Sequence, residues 1–136
     1  FLIIIFIFFK DKKSLSYLML NLIICGILVI ILKNIIKKKR PDEKYSSKRL
    51  FGNHYSMPSG HLASNLSLFF SLIVINLKLS YLFLAFSIII TFYKLYNHEH
   101  DLYDLLVAIL VGIFSSLFSY FLFDKFSFLV FKIFNI

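Results

Sequence analysis

Apolar and polar residues separate along this chain into long apolar runs and short, dense polar islands. Leu15 to Leu32 is interrupted only by Ser16, Asn21 and Gly26. Further apolar runs extend from about Pro58 to Ile75, from Leu79 to about Tyr93 and from Leu105 to Phe123. Such runs are too long for strands and suit helices that cross the ~30 Å hydrocarbon layer of a bilayer. Between them lie Lys10-Asp11-Lys12-Lys13, a basic exit from Lys33 to Arg40-Pro41 and a polar loop over 42–57. A tight turn at Asn76-Leu77-Lys78, a polar knot from Lys94 to Asp104, and Asp124-Lys125 complete the separators. Pro41 reads as a stop, because the residue before a proline disfavours helix. Residues 1–9, FLIIIFIFF, rise only about 13 Å as helix and read as the far end of a preceding span. Residues 126–136 read as a short apolar tail in the interface. The pattern predicts an all-α integral membrane helix bundle. It would have about four complete spanning helices plus the end of an earlier one, in a single domain over 1–136 that lacks its N-terminal helices.

Composition removes the alternatives. The chain is 60% hydrophobic and 16% charged, with a mean hydropathy of +0.84. A soluble domain of 136 residues would leave much of that apolar surface in water, and a chain with so much to bury is not disordered. The net charge of +8 comes from 15 basic against 7 acidic residues. A nucleic-acid binder would not carry that charge between long apolar runs, so no nucleic-acid partner is expected. The one cysteine, Cys25, excludes an internal disulfide or a multi-cysteine metal site and reads as inert. Lysine outnumbers arginine strongly, with only Arg40 and Arg49 present.

Four crossings would place residues 33–57 and 94–104 on one membrane side, and three polar islands can meet there. The first is Lys33, six residues, then Arg40-Pro41. The second is Pro58-Ser59-Gly60-His61, and the third is Tyr93-Lys94, five residues, His100, three residues, Asp104. Both prolines of the chain and two of its four histidines fall inside these islands. The PSGH string is rare for this composition; the other two islands gain weight from their order and spacing.

Together the islands resemble the signature of the type 2 phosphatidic acid phosphatase superfamily, whose fold group also contains vanadium haloperoxidases and bacterial acid phosphatases. The resemblance covers residues 33–104, and the flanking helices are similar to those of its membrane-bound branch. That branch usually has six spanning helices, of which this chain would supply about the last four. The resemblance implies a phosphate pocket formed by Lys33, Arg40, Ser59, Gly60 and Lys94. Amide groups of Ser59 and Gly60 at a helix start would face the anion, helped by the helix dipole, and Arg40 can fork onto two oxygens. It further implies that His100 is the nucleophile, oriented by Asp104 one helical turn away. His61 would protonate the leaving oxygen and then help activate water. No metal or cofactor is implied. The family usually has Ser-Arg where this chain has Tyr93-Lys94, and lysine keeps the charge but loses the fork.

Plainer readings stand beside these. Lys38, Lys39, Lys44, Lys48 and Arg49 read as a solvated or headgroup-facing surface. His98, with Asp101 at i+3, is a rival nucleophile, although the offset from Lys94 favours His100. Asp101 also reads as the N-cap of the last span. His98, His100 and Asp101, with His54 nearby, lack the i, i+4 histidine pair of a helical metal site. Asn65, Ser67, Ser71, Ser115, Ser116 and Ser119 read as helix-packing contacts, and Tyr17, Tyr45, Tyr55, Tyr81, Tyr103 and Tyr120 as interfacial anchors. The expected activity is removal of phosphate from a membrane lipid monoester or pyrophosphate, through a phosphohistidine. Polyprenyl pyrophosphate, phosphatidic acid, phosphatidylglycerophosphate and a lipopolysaccharide lipid are the substrates considered. Phosphotransfer to a lipid hydroxyl, or an inactive structural relative, are the alternatives. Family habit places the site on the extracytoplasmic face of a plasma or inner membrane, whereas the lysine-rich 33–49 segment points to the cytoplasm.

Overall fold

The computed structural model describes residues 12–41 and 55–134. The segment before Lys12, including the expected end of an earlier span, and most of the 42–57 loop, with His54, Lys44, Tyr45, Lys48 and Arg49, lie outside the described residues. Four helices and no strand occur among the described residues: α1 (Lys12–Ile36), α2 (Gly60–Ile75), α3 (Leu77–Tyr96) and α4 (Leu102–Phe134). Three stretches are long and apolar enough to cross a membrane, Lys13–Ile36, Leu77–Tyr96 and Leu102–Lys125.

The second run behaves differently from the other three. Helix α2 has 16 residues, about 24 Å of rise. It starts at Gly60 rather than at Pro58, and it packs against each of the other helices. Its buried positions include Leu62, Ala63, Asn65, Leu66, Ser67, Leu68, Ser71 and Leu72. A short helix suffices because α2 is enclosed by neighbours rather than by lipid.

The bundle is apolar outside, and inside it sets polar groups among two clusters of apolar side chains. Ile23, Ile27, Ile31 and Ile35 of α1 face outward, as do Leu106, Leu110, Leu117 and Phe121 of α4. Inside, the Asn21 amide donates to the Ser67 carbonyl at 3.0 Å and to Ser71 Oγ at 2.7 Å. Ser71 Oγ and Ser116 Oγ are 3.0 Å apart, and Asn65 Nδ2 donates to the Phe83 carbonyl and Ser87 Oγ. In lipid, where apolar surfaces gain nothing by meeting, such bonds and close packing hold helices together. The serines and Asn65 therefore do act as packing contacts. Tyr17 does too, and not as an interfacial anchor: it is buried, and its hydroxyl donates to Ser71 Oγ at 3.1 Å. Gly112 of α4 marks a close crossing with α2, since a Cβ there would sit 2.9 Å from Leu66 Cβ and 3.1 Å from the Ser67 nitrogen.

The turn between α2 and α3 narrows to one residue. The Asn76 backbone N–H caps α2 on the Leu72 carbonyl, and its side chain accepts from the Leu79 N–H at 3.1 Å. At the other end of the chain, Asp124-Lys125 does not end α4, which continues to Phe134. Two charges can end a membrane span without ending the helix that carries them. The expected separate tail is thus the last turns of α4.

Candidate active site

One end of the bundle gathers three connecting segments. Lys37, just past α1, takes φ 50°, the left-handed conformation, and its N–H caps the Lys33 carbonyl at 3.0 Å. This reversal folds Lys38, Lys39 and Arg40 back over the helix ends. Ser56 then fastens them: its N–H donates to the Lys38 carbonyl at 2.8 Å and its hydroxyl to that of Lys39 at 3.1 Å. The buried Lys33 ammonium donates to the Tyr55 carbonyl at 2.6 Å.

Helix α3 ends in a Schellman motif. His98, at φ 51°, donates its N–H to Leu95, and the Glu99 N–H reaches back to Lys94. The tight turn delivers Glu99 and His100 to the bundle interior, where both are buried, while His98 stays exposed. Helix α4 then starts with a reciprocal capping pair. The Asp104 N–H donates to Asp101 Oδ1 at 3.1 Å and the Asp101 N–H to Asp104 Oδ2 at 3.3 Å. Asp101 is thus the N-cap that the sequence suggests.

Asp104 ties the segments together. Its side chain is fully buried, and each carboxylate oxygen has two donors, the full capacity of the group. Lys38 Nζ at 2.8 Å and Ser56 Oγ at 3.3 Å approach Oδ1. His100 Nδ1 at 3.1 Å and the Asp101 N–H approach Oδ2. The Asp104 carbonyl also accepts from the Ser59 N–H at 3.3 Å. His100 precedes α4 instead of sharing its face, yet the side-chain pairing with Asp104 forms.

The tautomer of His100 follows from its two neighbours. Asp104 only accepts, so Nδ1 carries the proton; Arg40 only donates, and its NH1 lies 3.5 Å from Nε2. Nε2 therefore keeps its lone pair. Burial pushes the His100 pKa below the ordinary imidazole value, and the charges of Arg40 and Lys33 act the same way against the opposing pull of Asp104. For Lys38, burial acts downward, but the hydrogen bonds to Asp101 and Asp104 prevail and its pKa is raised.

A cavity of about 360 Å³ opens beside His100. Lys33, Arg40, Gly60, His61 and His100 line its polar end, so both cations of the first island meet the imidazoles of His61 and His100 there. Asp104 stands behind His100. Two other expected residues are placed differently. Lys94 is buried and does not line the cavity; its ammonium is bonded to Glu99 Oε2. Ser59 is buried as well, with its N–H spent on Asp104 rather than aimed at an anion, and with Oγ lacking a hydrogen-bond partner among the described residues. His98 lies outside this cavity lining.

Sequence reasoning missed Lys38, Ser56 and Glu99. Lys38 is no solvated surface cation but the counter-charge of Asp104 and Asp101. Glu99, beside His100, holds Lys94 with its side chain and accepts from Arg40 NH1 on its carbonyl at 3.2 Å. Its acidic charge next to a histidine, five residues from a lysine, was the available signal. Among the described residues, no group of three or more His, Cys, Asp or Glu side chains could hold a metal ion.

No curated protein and no solved structure matches the chain. The family model of the PAP2 superfamily matches residues 14–128, which takes in the cavity and the Asp104 cluster. This is accordingly a helical membrane protein that belongs to the PAP2 superfamily, a superfamily of phosphatases.

Proposed function

We propose that this protein hydrolyses a phosphomonoester or diphosphate of a membrane lipid through a phosphohistidine on His100. The observation that carries the reading is the arrangement of His100. Asp104 holds Nδ1, and Nε2 keeps its lone pair beside Arg40 at the polar end of a cavity shared with His61 and Lys33.

Lys33 and Arg40 bind the phosphoryl oxygens, and the dipole at the start of α2 adds to their field. Nε2 attacks phosphorus as the ester P–O bond breaks, and His61 gives its proton to the departing oxygen. The imidazole becomes cationic, and Asp104 stabilises that charge. Water then attacks phosphorus, passing a proton to His61; the P–N bond breaks and inorganic phosphate leaves. Lys94, held by Glu99, supports the turn that carries His100 and that receives Arg40 on the Glu99 carbonyl.

The test uses the full-length protein in proteoliposomes with phosphatidic acid and no added acceptor. Phosphate release favours hydrolysis over transfer to a lipid hydroxyl. With radiolabelled substrate, an acid-labile phosphoenzyme forms in the wild type and is lost in His100→Ala, together with turnover. Unchanged phosphate release by His100→Ala would refute the mechanism.

A further inference from the structure

The cavity does not stop at its charged end. On α1, Leu22, Gly26, Val29, Ile30 and Lys33 line it. That spacing follows one helix face and places Leu22 about 16 Å below Lys33. On α2 the lining runs from Gly60 to Leu68, about 12 Å. On α3 it includes Ile90, about 9 Å short of the helix end at Tyr96. Three helices thus describe one channel, ionic at the mouth and largely aliphatic below.

Gly26 is the unexplained residue in that channel. Glycine in a helix interior is destabilising by roughly 1 kcal/mol relative to alanine, so its smallness calls for a reason. At Gly112 the reason is helix contact. At Gly26 a Cβ would meet nothing within 4 Å among the described residues, so no described helix demands the gap.

We infer that Gly26 is a specificity-determining residue: its missing side chain admits the hydrocarbon tail of the substrate, about 10 Å below the phosphate-binding cations. The inference rests on the phosphatase reading of the same cavity. The occupant is the tail because the channel is continuous with the anion end. A free phosphate or a soluble monoester would fill only the mouth. Substitution at Gly26 narrows the channel in proportion to side-chain size.

The test compares kcat/KM for dihexanoyl and dioleoyl phosphatidic acid in the wild type, Gly26→Ala and Gly26→Leu. The long-to-short ratio falls at least about tenfold in Gly26→Leu, the scale on which apolar pockets discriminate, and by a smaller factor in Gly26→Ala. The ratio is insensitive to a change in the fraction of folded enzyme. An unchanged ratio in both variants, with the wild type active on both lipids, overturns this inference alone and indicates that something other than the tail, such as another helix, fills the channel. No phosphate release from either lipid by the wild type overturns the phosphatase reading and takes this inference with it.

Discussion

Replacing Lys38 by methionine keeps the stem and removes the ammonium that faces Asp104. The side chain of Lys38 is 29% exposed and that of Asp104 is fully buried, so the pair stands between the surface and interior cases. Its loss should destabilise the protein by about 1–3 kcal/mol, above exposed ion pairs and below fully buried ones. The larger signature is electrostatic. Lys38 and His100 sit on opposite oxygens of one carboxylate, which places the two charges roughly 7 Å apart. Over that distance a unit charge is worth about 0.6–2.4 kcal/mol for effective dielectrics of about 80 down to 20, or roughly 0.4–1.7 pH units. Partial exposure and salt favour the lower half. The sign follows from the chemistry. In the proposed mechanism His100 reacts as the neutral imidazole, so activity falls as pH drops through its pKa. Burial holds that limb below the ordinary value of about 6.5. Removing a nearby cation favours the imidazolium, so Lys38→Met moves the acid limb upward by about half to one unit. The assay is the pH profile of kcat/KM for phosphate release at low and high salt, alongside thermal unfolding in detergent; Lys38→Arg restores the wild-type limb. An unmoved limb together with an unchanged Tm would show that Lys38 is a solvated cation after all.

Two backbone predictions are independent of that electrostatic one. His98→Gly relieves a left-handed residue and should raise stability by up to about 1 kcal/mol while phosphate release persists; loss of turnover in this variant would reinstate His98 as the nucleophile. Gly112→Ala drives a Cβ against the Ser67 nitrogen and the Ala63 carbonyl at 3.1 and 3.2 Å, backbone atoms that cannot turn aside. Tm should fall, by the equivalent of about 1–3 kcal/mol; a rise, as helix propensity alone would give, would contradict the close crossing of α2 and α4.

The helices and the meeting of the polar islands were legible because both follow from short-range pattern: apolar runs, and rare residues at fixed spacing. What could not be read depends on where the chain turns. In Lys37-Lys38-Lys39, nothing marks Lys37 as left-handed, since glycine, the usual sign of that conformation, is absent. Without that turn, no register singles out Lys38 as the partner of Asp104. The same holds at His98: its turn directs Glu99 to Lys94, so an ammonium expected at phosphate is engaged elsewhere. Tyr17 was misjudged for another reason. Its polarity was weighed against lipid, whereas Ser71 and Ser116 on neighbouring helices receive its hydroxyl.

The single-residue joint at Asn76, with the Asn65 bonds to Phe83 and Ser87, makes α2 and α3 one stiff lever. Helix α1 and this lever form opposite walls of the channel, and α1 rests chiefly on α2 and α4 rather than on α3. Any widening of the channel must therefore occur along the α1–α3 seam. A lipid arriving that way would slide in sideways from its own leaflet, headgroup level with the cations and tail already at the right depth, without ever leaving the bilayer.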